Sequence, residues 1–386
     1  MTGRKVLILG GGFGGLTVAQ HLRRLLPPEH RIIVVEKKNF FYMCAFNMRL
    51  ITGEMRNPQE GERALSELSR KGIDWIHAEV GKIDPNGKRV HTSSGTLEGD
   101  YIIIALGAEK LPDAMPGFAE SAYNLTDAFG ALQLRKVLDE FESGRIIVLV
   151  CSTPYSCPGA PCETAFLADS TFLSKKTRQR VEIAIYTPET RPLAAAGTEI
   201  GQAVLSMLKE HNIEYHSQQK VQRIDNNAHK IVFGGGEVTF DLLVGVPPHA
   251  TPRVVREDGL TDETGWVPVD LQTLETSYPG IFAIGDITSI QQPNPTGFFL
   301  PKAGVFADEQ ARVVAGNISG EILGDAKRSR FDGKGFCYLE IGDGTAAYGS
   351  GNFYAYPVPR VYLESPSQRY HKERRELEKE QLEALV

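Results

Sequence analysis

Two sets of residues in this 386-residue chain have types and spacing suited to chemistry. The first is Gly10-Gly-Gly-Phe-Gly-Gly15, in which Gly10, Gly12 and Gly15 match G-x-G-x-x-G, with Glu36 lying 21 residues past Gly15. Glycines so spaced permit a tight turn and bring a pyrophosphate close to a helix N-terminus, whose free N–H groups and dipole favour anions. A carboxylate at the later position accepts ribose hydroxyls. The pattern predicts a dinucleotide site. The second set is five cysteines, Cys44, Cys151, Cys157, Cys162 and Cys337. They are too few and too scattered for a disulfide scaffold, so any pair among them is more chemical than structural.

The elements that position these residues follow from the apolar runs. Lys5-Val-Leu-Ile-Leu9 reads as a buried parallel strand, Leu16 to Leu26 as a helix ending before Pro27-Pro28, and Arg31-Ile-Ile-Val-Val35 as the next strand. Tyr101-Ile-Ile-Ile-Ala-Leu-Gly-Ala108 predicts a strand running into a small-residue turn, and Gly280-Ile-Phe-Ala-Ile-Gly-Asp286 a strand ending in Gly-Asp. Between them, Arg145–Val150, Val181–Ile185 and Asp241–Gly245 predict a second doubly wound unit over 113–249. With 42 basic and 48 acidic residues the net charge is −6, and no basic stripe marks a nucleic-acid surface. No apolar run approaches the roughly 18 residues of a membrane span. Met1-Thr-Gly-Arg-Lys5 enters the first strand directly, without a signal peptide, so a cytoplasmic location is expected.

Together these segments resemble the three nucleotide fingerprints of the two-dinucleotide-domain flavoproteins. The resemblance implies an α/β fold with two Rossmann-like domains. Residues 1–112 and 250–325 would form an FAD-binding domain, 113–249 a second Rossmann-like domain, and 326–386 a small C-terminal region with a β-hairpin and a terminal helix. It implies FAD as cofactor, held by Gly10, Gly12, Phe13, Gly14, Gly15, Glu36, Lys37, Cys44, Val80, Ala105, Gly107, Gly285, Asp286 and Lys302. Asp286 would meet the ribityl chain; on its own it also reads as a helix N-cap. Lys302, in Pro301-Lys302 ahead of a helix, would stabilise the charge of reduced flavin. No metal site is expected. In such folds a second glycine-rich turn, after the strand Arg145–Val150, holds NAD(P)H. Here the turn reads Cys151-Ser-Thr-Pro-Tyr-Ser-Cys-Pro-Gly-Ala-Pro-Cys162-Glu163, with one glycine and three prolines, and Tyr186-Thr-Pro-Glu189 poorly matches the acid expected after the next strand. A degenerate nicotinamide site is predicted.

Pro154-Tyr-Ser-Cys157-Pro-Gly-Ala-Pro-Cys-Glu163 resembles the segment carrying the first redox cysteine of sulfide:quinone oxidoreductases and flavocytochrome c sulfide dehydrogenases. Phe336-Cys337-Tyr-Leu-Glu-Ile-Gly-Asp-Gly344, followed by Tyr348-Gly349, resembles the strand carrying the second. The resemblance implies a Cys157–Cys337 redox disulfide attacked by hydrosulfide, with electrons passing through flavin to a quinone and sulfur or polysulfide as product. Glu163 is then a proton acceptor, or simply a first-turn helix acid. Cys157 and Cys162 also form a C-x-x-x-x-C spacing; Cys151 and Cys162 otherwise read as small buried hydrophobes. Asn39-Phe-Phe-Tyr-Met-Cys44 resembles the segment whose cysteine binds flavin covalently in the cytochrome-linked enzymes, whereas the quinone-reducing ones more often carry an extra cysteine where this chain has Asn124-Leu-Thr126. Phe298 and Phe299 read as quinone-pocket or interface residues. After an aromatic, proline-broken stretch, Ser367 to Leu382 reads as a charged helix with a thin apolar face, Tyr370, Leu377, Leu382 and Leu385, suited to packing on the body more than to anchoring in a bilayer. Peripheral membrane contact and a homo-oligomer stay open. Competing readings are sulfide dehydrogenation with a cytochrome c acceptor, a type II NADH dehydrogenase, and a redox sensor that acts through partners.

Overall fold

A computed structural model describes residues 3–325 and 328–386. Met1 and Thr2, where the leader was read as missing, and positions 326–327, at the expected start of the C-terminal region, lie outside the described residues.

Two parallel five-stranded sheets carry the α/β fold. In the first, the strands run in the order Ile281–Ala283, Tyr101–Ile104, Lys5–Leu9, Arg31–Glu36 and Asp74–His77. Register is set by pairs such as Val6 with Ile32 and Val6 with Tyr101. After Lys5 the central strand is apolar to its end because both its faces are covered. Val6 and Ile8 point into the core shared with the helices Phe13–Leu25 and Gly304–Leu323. Leu7 and Leu9 point the other way, against Val80, Ile83 and Val90 of a small antiparallel sheet, Val80–Asp84, Arg89–Thr92 and Gly95–Glu98.

The second sheet repeats this plan, with Ala122–Asn124, Leu242–Val246, Gly144–Val150, Val181–Tyr186 and Ile213–His216 in that order. Ile146 and Val148 join the main core, while Ile147 and Leu149 pack on Ile224, Ile231 and Phe233 of another three-stranded antiparallel sheet.

Beyond the hairpin Lys334–Gly342 and Thr345–Asn352, Arg360–Ser367 adds a third antiparallel strand that the prolines had obscured in the sequence. It is an edge strand, and Pro366 sits where its register shifts, a position that needs no ladder donor. Ser367 caps the helix Gln368–Leu385, its hydroxyl accepting the Tyr370 N–H at 3.4 Å. Among the described residues no helix is long and apolar enough to cross a membrane.

Candidate active site

The cradle for a dinucleotide is built by close backbone approach. Gly10 has φ +106°, and a Cβ there would stand 2.4 Å from the Ala105 carbonyl oxygen, so the first turn and the end of the neighbouring strand can lie together only with glycine. A Cβ on Gly15 would lie 2.0 Å from the Gly10 oxygen, which presses the helix Phe13–Leu25 against that turn. Gly12 and Gly107 face open space. The helix N-terminus has no side-chain cap and no acid in its first turn, leaving its N–H groups for an anion. Glu36 closes the next strand, accepting from Gly11 N–H at 2.8 Å and Lys38 N–H at 2.9 Å. Open space at the glycines, a free positive helix end and a fixed carboxylate fit the phosphates and ribose of FAD. Around them, Gly14 packs on Ile284 and Ala307, Phe13 reaches Gly304 at the start of the later helix, Lys37 pairs with Glu79 at the surface, and Val80 is buried.

The first cysteine is fastened to the third fingerprint. Asp286 follows Gly285, φ +75°, and its Oδ2 accepts a hydrogen bond from the Ser156 hydroxyl. Lys302 Nζ donates to the carbonyls of Asp286, at 2.6 Å, and Thr288, at 3.0 Å, and lies 3.4 Å from the Trp266 ring centre. Burial pushes this ammonium down to about 8, with Asp286 opposing the shift. The Cys157 N–H in turn donates to the Lys302 carbonyl at 2.8 Å. Cys157 takes φ +58°, a left-handed conformation that costs a non-glycine residue roughly 1–2 kcal/mol. Two residues on, Gly159 caps the helix Ala160–Ser174.

The second cysteine comes from the C-terminal sheet. Cys337 lies opposite Gly349, and three residues later the Glu340 N–H donates to Glu163 Oε1 at 3.0 Å. Glu163, 2% exposed in the first turn of the helix Ala160–Ser174, also accepts from the Arg374 guanidinium. Through this carboxylate the two cysteine segments meet. Cys157 and Cys337 are both free cysteines whose residues reach solvent while the thiols sit among densely packed protein atoms. Desolvation raises both, Cys337 to about 11 and Cys157 further, and the negative charge of Glu163 adds to each shift. Cys337 raises Cys157 as well, and Arg374 pulls both back down. Cys44 is exposed at the start of a short 3-10 turn, whereas Cys151 and Cys162 are buried. Phe298 lies beside Phe299, which is 42% exposed.

Several members of this cluster went unrecognised in the sequence. The helix Gln368–Leu385 buries Tyr370, Arg374, Glu378, Leu382 and Leu385. Arg374 Nε donates to Glu378 at 2.8 Å, Arg375 bonds Glu54 and reaches Glu340 at 3.3 Å, and His371 Nδ1 stands 2.9 Å from Glu340. The signal that could have found them is the four-residue step 370, 374, 378, 382, one helix face with an Arg–Glu pair at its centre.

At the second sheet, Glu189 is turned inward. It accepts from the Tyr155 hydroxyl at 2.9 Å and from Thr187 at 3.2 Å, and burial lifts its carboxyl to about 7. Tyr155, from the proline-rich turn, is 3% exposed.

Two Rossmann-like sheets, the first with a glycine cradle for a dinucleotide, and two cysteine segments joined through Glu163 define an FAD-dependent oxidoreductase. The chain belongs to the pyridine nucleotide-disulphide oxidoreductase family, whose model it matches over residues 4–298. It is similar to the mitochondrial sulfide:quinone oxidoreductase of Mus musculus, at 26% identity over 320 residues, 78% of this chain and 69% of the relative. Similarity to the sulfide-quinone reductase of Aquifex aeolicus (strain VF5) reaches 26% over 372 residues, 92% of this chain and 84% of that one. The X-ray structure of the sulfide:quinone oxidoreductase from Aquifex aeolicus shares the fold, with a TM-score of 0.88 at 24% identity, covering 99% of this chain and 91% of the other.

Proposed function

We propose that this protein oxidises sulfide and delivers the electrons to a quinone, with Cys157 and Cys337 as its redox pair. The observation that carries the reading is the meeting of both cysteine segments at Glu163, on the side of the fold where Ser156 and Lys302 tie Cys157 to Asp286. Relatives named for sulfide:quinone chemistry along most of the chain support it. FAD, when bound, supplies the two-electron acceptor. Hydrosulfide attacks one sulfur of the Cys157–Cys337 disulfide; the S–S bond breaks, leaving a persulfide on the attacked cysteine and a thiolate on the other. Glu163, held by Arg374 and the Glu340 N–H, is the carboxylate whose negative charge acts on both thiols. The Lys302 ammonium holds the Asp286 turn, and Asp286 keeps Oδ1 for a ribityl hydroxyl. The inward-turned Glu189 and the three prolines disfavour NADH as donor. Exposed Tyr356 and Val358, in the connection leading to the strand Arg360–Ser367, and Tyr362 on that strand offer an apolar contact for a bilayer surface.

The test is anaerobic bleaching of the purified yellow protein by sulfide and, separately, by NADH. Sulfide alone is expected to bleach wild type, and neither Cys157→Ser nor Cys337→Ser. Bleaching of Cys337→Ser at the wild-type rate, or of wild type by NADH alone, overturns the reading. The exposed Cys44 supports a covalent flavin, which would keep colour in the acid-precipitated wild type and lose it in Cys44→Ala, and would favour a cytochrome c acceptor.

A further inference from the structure

A buried ion pair is weak glue. Replacing one with packed apolar residues is often neutral or stabilising, because desolvating the charges offsets their attraction. The inner face of the helix Gln368–Leu385 nevertheless places Arg374 among Glu163, Glu340 and Glu378, all four at most 7% exposed. Arg375 approaches Glu340, Glu378 and Glu54, Arg49 approaches Glu378 and Glu54, and His371 pairs with Glu340. The charges lie where the two cysteine segments join. Glu163 takes the Arg374 guanidinium on the same oxygen that receives the Glu340 N–H, so one carboxylate binds the start of the Cys157 helix, the Cys337 strand and the terminal helix.

The chemistry at the pair explains what a guanidinium does there. Breaking the disulfide with hydrosulfide leaves a thiolate near the Glu163 carboxylate, in a partly desolvated site. Without a cation their repulsion opposes the step. We propose that Arg374, delivered by the terminal helix, is the positioning residue of the cysteine pair: it fixes Glu163 and offsets its charge, so that a thiolate can form at Cys157 or Cys337. The inference rests on the assignment of that pair as redox-active. The opposing pull of Arg374 on both thiols, against the upward push of Glu163, agrees with it.

The test reads thiolate formation directly, with neither sulfide nor quinone present. The FAD-loaded protein is reduced anaerobically, and the iodoacetamide alkylation rates of Cys157 and Cys337 are followed by peptide mass spectrometry between about pH 7 and 9. In Arg374→Gln alkylation is expected to slow about tenfold at each pH, one unit in thiol pKa, with Arg374→Lys recovering most of the rate. A merely structural arginine would leave the profile of the folded variant unmoved, and that result overturns the proposal. Should Arg374→Gln fail to fold, Glu163→Gln takes its place: with the carboxylate charge gone and the guanidinium kept, alkylation of both thiols is expected to quicken, and an unmoved rate overturns the proposal. Loss of sulfide bleaching in Cys337→Ser alongside an unmoved profile would sink Arg374 and leave the proposed function standing; the reverse pattern would sink the function alone.

Discussion

Ser156→Ala removes one hydroxyl between Cys157, the first member of the proposed redox pair, and the Gly285-Asp286 turn. The lost bond runs from a neutral donor to the Asp286 carboxylate, a class worth about 1.5–3 kcal/mol. Both partners are partly solvated, so the lower end applies, about 1.5 kcal/mol, or roughly tenfold in a rate that depends on the placement of Cys157. Two other ties persist, the Cys157 N–H to Lys302 at 2.8 Å and the Tyr155 hydroxyl to Pro158 at 3.3 Å, so the loop should stay folded and FAD should stay bound. Stopped-flow bleaching by sulfide, with flavin content measured on the same sample, is then expected to slow about tenfold at unchanged occupancy. A rate within twofold of wild type at full occupancy would refute the idea that this bond positions Cys157. A colourless protein would show that the bond serves cofactor retention instead.

Gly15→Ala would place a methyl group 2.0 Å from the Gly10 oxygen, forcing the helix Phe13–Leu25 off the turn at an overpacking cost of about 1–3 kcal/mol. The purified variant should carry little FAD, judged by the ratio of flavin to protein absorbance, and full loading would contradict the close-approach argument. Burial raises the Glu189 carboxyl from 4.5 to about 7, so in this fold the neutral form is preferred. That contribution to stability is complete below about pH 4.5 and is lost as pH rises through about 7. Glu189→Gln should flatten the decline of the denaturant midpoint across this window, and an unchanged slope would show that Glu189 does not titrate there.

The cofactor cradle was legible because its determinants are local. The φ of Gly10 and the close approach at Gly15 follow from glycine spacing within one turn, and the uniformly apolar run Val6–Leu9 follows from a strand covered on both faces. Cys157 and Cys337 are 180 residues apart, and only family resemblance connected them before the fold brought both to Glu163. Arg374, Glu340 and Glu378 were missed for a physical reason. A charged residue is ordinarily assigned to water, and patterns of hydropathy do not record that each of these charges has a partner inside. Arg360–Ser367 was hidden similarly, since its one proline, Pro366, belongs to an edge strand and a register shift, where a missing N–H costs nothing.

The placement of Arg374 also bears on the order of biosynthesis. A ribosome delivers Cys157 early and Cys337 much later, and the helix Gln368–Leu385 follows both. A nascent chain that has just exposed its second cysteine therefore holds both thiols while Glu163 still lacks its arginine. In a fold that has closed around the two sulfurs but still lacks the terminal helix, desolvation and Glu163 act on the thiols without the opposing guanidinium, and they ionise least there. Arrival of the helix, tied to the body by Gln20 on the Leu385 carbonyl and Lys71 on the Ala384 carbonyl, would arm the pair only when the rest of the fold is in place.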